Sequence, residues 1–125
     1  MIKLDNEKVI LLHRTMTDAT GGDPGLRDPA LLDSALEAAY QTFGGEELYP
    51  TLEEKGARLA CSLVSNHAFV DGNKRIGIFA LLIFLEVNGV RIDASSCEVA
   101  RIGLALASGE MKYEALLSWI REHRI

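Results

Sequence analysis

The chain has 125 residues, the size of a single domain, and we expect one domain over residues 1–125. Hydrophobic residues make up 48% and charged residues 25%, values typical of a folded protein rather than a disordered one. A net charge of −5 argues against the broad basic face that direct nucleic-acid binding requires.

Helix-end signals in the first half of the chain predict two helices and then an irregular segment. Asp5 can cap a first helix that ends at Gly21-Gly22. Asp28-Pro29 is an N-cap followed by proline at the first helical position, and Gly44-Gly45 ends the second helix. The segment from Phe43 to Pro50 is predicted to be irregular or to form a short hairpin.

The next two helices are expected to form a tight helix–loop–helix. Thr51 and Glu54 form a capping-box pattern that begins a third helix ending near His67. A fourth helix begins near Asn73 and ends at Asn88-Gly89. It is apolar on nearly every face, so we expect it to lie at the centre of the fold.

The last third of the chain predicts two further helices. Val90 to Asp93 reads as a short extended link. Ser95 and Glu98 form a second capping-box pattern, starting a helix that stops near Gly109. An amphipathic helix from about Lys112 to Glu122 follows, with Trp119 in the core. The sequence therefore predicts an all-α fold, a compact bundle of about six helices around one central apolar helix.

Cysteine usage and hydropathy indicate the compartment. Cys61 and Cys97 are isolated, without the spacing of a zinc site, and Cys61 reads as a small core residue. The N-terminus lacks the apolar region of a signal peptide, and the apolar run from Ile76 to Leu85 is too short to span a bilayer. These features predict a cytoplasmic protein that does not contact membranes.

The most informative segment is the run from His67 to Arg75, which lies immediately before the central helix. It brings one imidazole, one carboxylate, one carboxamide and two cations together around Gly72. A helix N-terminus presents free backbone N–H groups and the positive end of the helix dipole. The arrangement predicts a phosphate-binding site beside a base, suited to moving a phosphorus-containing group onto a hydroxyl.

Each polar residue of this segment has an expected role. His67 is the candidate base, because an imidazole titrates near neutral pH. Asp71 is the candidate ligand of Mg²⁺, which usually takes one or two protein carboxylates besides phosphate oxygens and water. Gly72 permits close approach of the backbone, and the remaining residues donate to phosphate. Those donors are Asn73, Lys74 and Arg75.

A structural explanation of the same residues stays open at this point. Asp71-Gly72 is also an ordinary turn, Asn73 an ordinary helix cap, and His67 a possible core histidine. A metal pair of His67 and Asp71 would need a third ligand, and none lies nearby in the sequence. The other two histidines, His13 and His123, lie on amphipathic helices and are predicted to be surface residues.

The segment His67-Ala68-Phe69-Val70-Asp71-Gly72-Asn73-Lys74-Arg75 resembles the signature of the Fic/Doc (Fido) superfamily, and specifically its Doc branch. The Fic pattern is H-x-F-x-D/E-G-N-G-R-x-x-R and the Doc pattern is H-x-F-x-N/D-A/G-N-K-R. Lys74 stands where Fic enzymes carry a second glycine. Three further segments are similar to Doc proteins, so the resemblance covers most of the chain: Gly25–Leu36, Tyr49–Lys55 and Phe84–Gly89.

The resemblance implies an ATP- and Mg²⁺-dependent transferase with the Fido fold. Fic enzymes usually transfer AMP, whereas Doc-type proteins with lysine at the position of Lys74 resemble kinases that transfer the γ-phosphate. His67 would then be the general base for a Ser or Thr hydroxyl on a target protein, and Asp71 would help with Mg²⁺ or phosphate. Asn73, Lys74 and Arg75 would hold the phosphates and stabilise the charge of the transition state.

The resemblance also implies a biological setting. Doc proteins are toxins that modify the translation machinery and are neutralised by a small Phd-like antitoxin. The segment from Phe43 to Pro50 matches the place of the Fic flap, which docks the target by strand addition.

One departure from the Fic pattern bears on activity and control. The final Fic arginine would fall at Ile78, so the second arginine is absent. This weakens the case for AMP transfer and for control by an inhibitory helix within the chain. AMP transfer by the same fold and a non-catalytic interaction module remain the alternatives to phosphate transfer.

Overall fold

The computed structural model describes all 125 residues and consists of six α-helices, one short 3₁₀ turn and one two-stranded sheet. The helices are α1 (Asn6–Thr20), α2 (Pro29–Glu37), α3 (Leu52–Asn66), α4 (Asn73–Val87), α5 (Ser96–Ser108) and α6 (Tyr113–His123). The 3₁₀ turn spans Ala38–Tyr40, and the strands are β1 (Thr42–Phe43) and β2 (Glu46–Glu47). The prediction of an all-α bundle is confirmed. None of the helices has the length and apolar character needed to cross a membrane.

Helices α3 and α4 form the centre of the bundle as an antiparallel pair. α3 packs against α2, α4, α5 and α6, while α4 packs against α1, α3 and α5. The most deeply buried side chains of α4 are apolar, which gives the pair one continuous core: Ile76, Ala80, Leu81, Phe84 and Leu85. One side of α4 is less covered, since Phe79 is 37% exposed. The centre is thus a helical pair rather than one surrounded helix.

The remaining helices are fixed to this pair by specific contacts. The hydroxyl of Ser62 on α3 donates to the carbonyl of Ala35 on α2 at 2.7 Å, and the Asn66 carboxamide donates to the carbonyl of Leu31 at 3.2 Å, so α2 runs antiparallel to α3. The end of α6 returns to the link after α4, where Ile92 and Arg124 form an antiparallel bridge. The Arg124 guanidinium also pairs with the carboxylate of Glu53 on α3. The predicted extended link is therefore present and carries the C-terminus.

The predicted hairpin exists, and its second strand lies near the start of α3, whereas His67 follows the end of that helix. The buried ammonium of Lys55, in the first turn of α3, donates to the carbonyl of Tyr49 and lies 3.2 Å from the carboxylate of Glu47. Glu47 lines a depression together with Asn88, at the end of α4. Docking of a target by strand addition to this hairpin remains a prediction.

Two details of the predicted elements differ. The second helix does not reach Gly44, because it ends at Glu37 and gives way to the 3₁₀ turn and the hairpin. The second capping box is incomplete: Ser95 accepts a bond from the backbone N–H of Glu98, but the Glu98 carboxylate turns elsewhere. It accepts from the indole N–H of Trp119 at 3.1 Å and lies 3.0 Å from Nε2 of His123.

Candidate active site

His67 ends α3 in a conformation that places its side chain in solvent. It is the C-cap residue, with φ 51° and ψ 47°, and it is the only residue other than glycine with positive φ. This left-handed geometry is uncommon for a residue with a Cβ and reverses the chain direction after the helix. The imidazole is exposed and forms no hydrogen bond within the chain. The possible reading of His67 as a core histidine is therefore wrong.

Arg27 holds the main chain of His67 in this conformation. Its Nε and Nη2 groups both donate to the His67 carbonyl, at 2.9 and 2.5 Å. Arg27 lies in the link between α1 and α2, 40 residues away in sequence. No pattern in the sequence indicates this contact, because the two residues are far apart along the chain.

The same link pairs with the motif loop, defined here as residues 67–72, like two short strands. Leu26 and Phe69 form an antiparallel bridge. The N–H of Arg27 donates to the Ala68 carbonyl at 2.8 Å, and the N–H of Val70 donates to the Gly25 carbonyl at 3.0 Å. The loop is therefore a fixed element rather than a free connection between α3 and α4.

Asn73 holds the opposite edge of the loop. Its carboxamide accepts from the N–H of Phe69 and donates to the carbonyl of Phe69, both at 3.0 Å. Both functional ends of the side chain are thus occupied inside the protein. The structure gives Asn73 a supporting role in the loop, and its predicted contact with phosphate remains a prediction.

Phe69 and Asp71 anchor the middle of the loop. Phe69 is buried in the core. The carboxylate of Asp71 accepts from the N–H of Gly72 at 2.8 Å through Oδ1. Its other oxygen, Oδ2, has only distant partners: the N–H of Asp23 at 3.4 Å and the guanidinium of Arg75 at 3.9 Å. Oδ2 of Asp71 is therefore the freer oxygen of a carboxylate whose side chain is 52% exposed.

Gly72 is required by the geometry of the loop. It is the N-cap of α4 with φ 77°, in the left-handed region that favours glycine. A Cβ there would lie 3.0 Å from Cε of Met16 and 3.3 Å from Nε2 of His13. Glycine at this position therefore has a structural cause, and its presence does not by itself distinguish Fic from Doc chemistry.

The N-terminus of α4 has no side-chain cap. No side chain bonds its first N–H groups, and its first turn holds no acidic residue. The first turn carries instead two cations, Lys74 and Arg75. Positive charges are unfavourable at the positive end of a helix dipole, whereas an anion there is favourable. This end of α4 is electrostatically suited to a phosphate group.

The two cations lie on different sides of the helix. The Arg75 guanidinium donates to the hydroxyl of Thr20 at 2.6 Å and to the carbonyl of Gly21 at 3.1 Å, so it faces the end of α1. Lys74 is exposed and lines a cleft beside α5 together with Arg101 and Ser108. In this conformation Lys74 and Arg75 flank the helix end and do not converge on one point.

His13 is the residue that the sequence prediction missed. It was expected at the surface, and that prediction is wrong: it is fully buried on α1, with Nε2 2.7 Å from the carbonyl oxygen of Asp71. The single amphipathic pattern of α1 gave no signal of this contact, because the partner lies 58 residues away. His123 is half-buried against Trp119 and Glu98, far from the motif. Cys61 is half-buried beside the core.

Comparison with known proteins shows the family to which the chain belongs. A family model described as Fic/DOC family matches residues 3–85, about two thirds of the chain and the whole of the motif. The chain therefore belongs to the Fic/DOC family.

Two curated relatives place the chain within that family. It is 46% identical to Toxin Doc of Mycolicibacterium smegmatis over 91 residues, which are 73% of this chain and 68% of that protein. It is 28% identical to Protein kinase doc of Escherichia phage P1 over 121 residues, which are 97% of this chain and 94% of that protein. The similarity is thus to Doc proteins along nearly the full length.

Proposed function

We propose that this chain is a Doc-type toxin that transfers the γ-phosphate of ATP to a Ser or Thr hydroxyl of a target protein. The observation that carries the proposal is the uncapped, cation-bearing N-terminus of α4 directly after a loop that begins with an exposed histidine. The relatives named Toxin Doc and Protein kinase doc support the same chemistry.

His67 has the exposure and freedom that a general base needs. Its imidazole is unbonded, while its main chain is held by Arg27. In the proposed step His67 takes the proton of the target hydroxyl as that oxygen forms a bond to the γ-phosphorus. The bond from the γ-phosphorus to the bridging oxygen breaks, and ADP leaves with the electron pair. Most of the catalysis would come from positioning and charge stabilisation.

The backbone N–H groups at the start of α4 would receive the phosphates, with Lys74 and Arg75 as the neighbouring cations. Gly72 supplies the left-handed backbone turn that leads into these N–H groups, with φ 77°. Arg75 would have to exchange its bonds to Thr20 and Gly21 for phosphate oxygens. Lys74 is already in solvent and would need only a rotamer change.

The residues present fit one Mg²⁺ ion bound together with the nucleotide. No three His, Cys, Asp or Glu side chains come together anywhere in the chain, so the protein alone offers no full coordination set. Asp71 offers Oδ2, and Mg²⁺ commonly accepts one protein carboxylate with phosphate oxygens and water as the other ligands. When bound, the ion would offset phosphate charge and help to orient the γ-phosphate.

The toxin assignment includes two macromolecular partners. We propose a Phd-like antitoxin as the neutralising partner and a component of the translation machinery as the target. Both would place the reaction in the cytoplasm.

The chemistry is tested by incubating the chain and host-cell extract with ATP labelled either at the γ- or the α-phosphate. Label from the γ-position on a protein, absent with His67→Ala, is the expected result. Label from the α-position would mean AMP transfer. Growth arrest that survives His67→Ala without any labelling would instead favour a non-catalytic interaction module.

Nucleotide binding provides a test that does not depend on finding the target. ATP with Mg²⁺ should raise the Tm of the chain, because a ligand bound only by the folded state stabilises it. Lys74→Ala should reduce the shift, and Lys112→Ala, which removes an exposed lysine from the start of α6, should leave it unchanged. An equal shift in all three proteins would exclude Lys74 from the phosphate site.

A further inference from the structure

A buried histidine from α1 contacts the motif loop at two points. Nε2 of His13 lies 2.7 Å from the carbonyl oxygen of Asp71. Its ring stacks on Phe69, with centroids 3.8 Å apart and an interplanar angle of 12°. Both Phe69 and Asp71 belong to the loop, so one side chain fixes two of its residues from the outside.

The hydrogen bond defines which ring nitrogen carries the proton. A carbonyl oxygen can only accept, so Nε2 of His13 must be the donor. The other nitrogen, Nδ1, is buried and has no hydrogen-bond partner. An unpartnered polar atom in a core is unfavourable, and an aliphatic residue would fill the space without that penalty. Packing alone therefore does not account for a histidine at this position.

The peptide group that His13 holds leads directly into α4. Asp71 precedes Gly72, the N-cap of α4, and the Gly72 backbone lies against His13 and Met16. Movement of the Asp71 carbonyl would rotate the Gly72 peptide and tilt the first N–H groups of α4. Those groups are the ones that the proposed function assigns to phosphate.

We propose that His13 is a positioning residue for phosphate transfer. It donates from Nε2 to Asp71 and holds Phe69 by stacking, so that the open N-terminus of α4 and the base His67 keep a fixed relation. The inference rests on the proposed function for its activity readout. His13 contacts neither the nucleotide position nor the target hydroxyl, because it is fully buried.

Three substitutions at position 13 separate the donor from the ring. His13→Gln can place an amide N–H near the position of Nε2, so it should keep the bond to Asp71. His13→Asn is chemically matched, but its amide is too short to reach. His13→Phe keeps an aromatic ring against Phe69 and removes the donor. Each protein is measured for Tm, for kcat, and for the KM of ATP.

We expect kcat of His13→Phe and His13→Asn to fall about 10- to 100-fold, the usual range for residues that orient a catalytic group. His13→Gln should recover most of kcat. KM for ATP should change less than kcat, because misaligned donors weaken the transition state more than the bound substrate. Full kcat in His13→Phe would overturn the proposal. The proposal would also be overturned if all three variants lost kcat equally and in proportion to their loss of Tm.

Amide hydrogen exchange keeps this test separate from the proposed function. The N–H groups of Phe69 and Val70 are bonded inside the loop assembly and report its opening. They should exchange faster in His13→Phe than in wild type, and close to the wild-type rate in His13→Gln. If the wild-type chain transfers no phosphate, the proposed function fails, while this exchange pattern still decides whether His13 holds the loop. Unchanged exchange in His13→Phe would overturn the role.

Discussion

The N-termini of α3 and α4 lie at opposite ends of the same helical pair and differ in every feature that caps a helix. At α3, Thr51 accepts from the N–H of Glu54 at 3.1 Å, and the Glu54 carboxylate accepts from the N–H of Thr51 at 3.3 Å. At α4, the N-cap is Gly72 and no side chain caps the helix. The first helix is closed by its own residues, and the second is left open.

The charges in the first turns of α3 and α4 also differ, with acidic residues at α3 and basic residues at α4. The first turn of α3 carries Glu53 and Glu54, which complement the positive helix end. The first turn of α4 carries Lys74 and Arg75, which do not. The end at α3 is stabilised by its own residues, whereas an anion would stabilise the end at α4. An absent cap and positive charge at the same helix end are the features on which the proposed phosphate site rests.

Of the substitutions at the α4 end of the pair, His67→Ala should have the largest effect on phosphate transfer. We expect phosphate transfer to fall about 10²- to 10⁴-fold, the usual contribution of a general base. The free energy of unfolding should change by less than about 1 kcal/mol, because the removed side chain is exposed. Labelled-ATP assays and denaturant unfolding measure the two quantities. A large loss of stability would mean that the imidazole supports the loop instead.

Lys74→Ala should have the next largest effect. Removing one cation that stabilises transferring charge should lower kcat about 100-fold. Stability should stay the same or rise slightly, since a positive charge leaves the positive end of a helix. Steady-state kinetics and thermal unfolding check this, with Lys112→Ala as the matched control. Kinase activity unchanged by the substitution would show that Lys74 is not a phosphate ligand.

Thr51→Ala and Gly72→Ala compare the two N-caps directly. Thr51→Ala should lower the free energy of unfolding by about 1 kcal/mol through the lost cap, and leave phosphate transfer unchanged. Gly72→Ala should lower it by about 1–2 kcal/mol, because alanine is strained at positive φ, and should also reduce transfer. Denaturant unfolding and the labelled-ATP assay distinguish the two. Equal losses of activity would remove the functional contrast between these helix ends.

Glu98 extends the comparison to α5 and should give the smallest effect. The hydrogen bond from the Trp119 indole, with His123 and Arg101 nearby, lowers the pKa of Glu98 below its ordinary value of 4.5. The stabilisation from the carboxylate is therefore complete above that value and is lost as the pH falls through the folded pKa. Wild type should exceed Glu98→Gln in Tm at pH 7, and the gap should close in acid. A gap independent of pH would contradict the assignment.

The sequence predicted the parts of the fold that depend on local signals. The caps at Asp5, Asp28 and Thr51 and the turn at Gly72 are written in neighbouring residues, and the structure places the helices accordingly. The position of His67 between two helices followed from the same signals. The roles of the motif residues in catalysis remain predictions.

Contacts between distant segments could not be predicted in this way. Arg27 and His13 contact residues of the loop that are 40 and 58 positions away, and no periodic pattern in the sequence indicates either contact. The sequence allowed the carboxamide of Asn73 either to cap a helix or to contact phosphate. Only the folded loop shows that it bonds the backbone of Phe69. The local sequence around Glu98 predicts a capping box, whereas in the structure its carboxylate accepts from the indole N–H of Trp119. Local chemistry named the candidates, and tertiary contacts selected among them.

The contacts of His13 and Arg27 with the motif loop also determine at which stage of folding the loop acquires its shape. A fragment covering residues 52–88 would contain α3, the complete motif and α4. It would lack both His13 and Arg27, so its loop would have no external support. Joining segments 40 and 58 residues apart requires closing long loops, which is slow and entropically unfavourable in a folding chain. The motif loop therefore takes its shape only when the long-range fold is complete. On the proposed function, a nascent or truncated chain that carries every motif residue should be inactive.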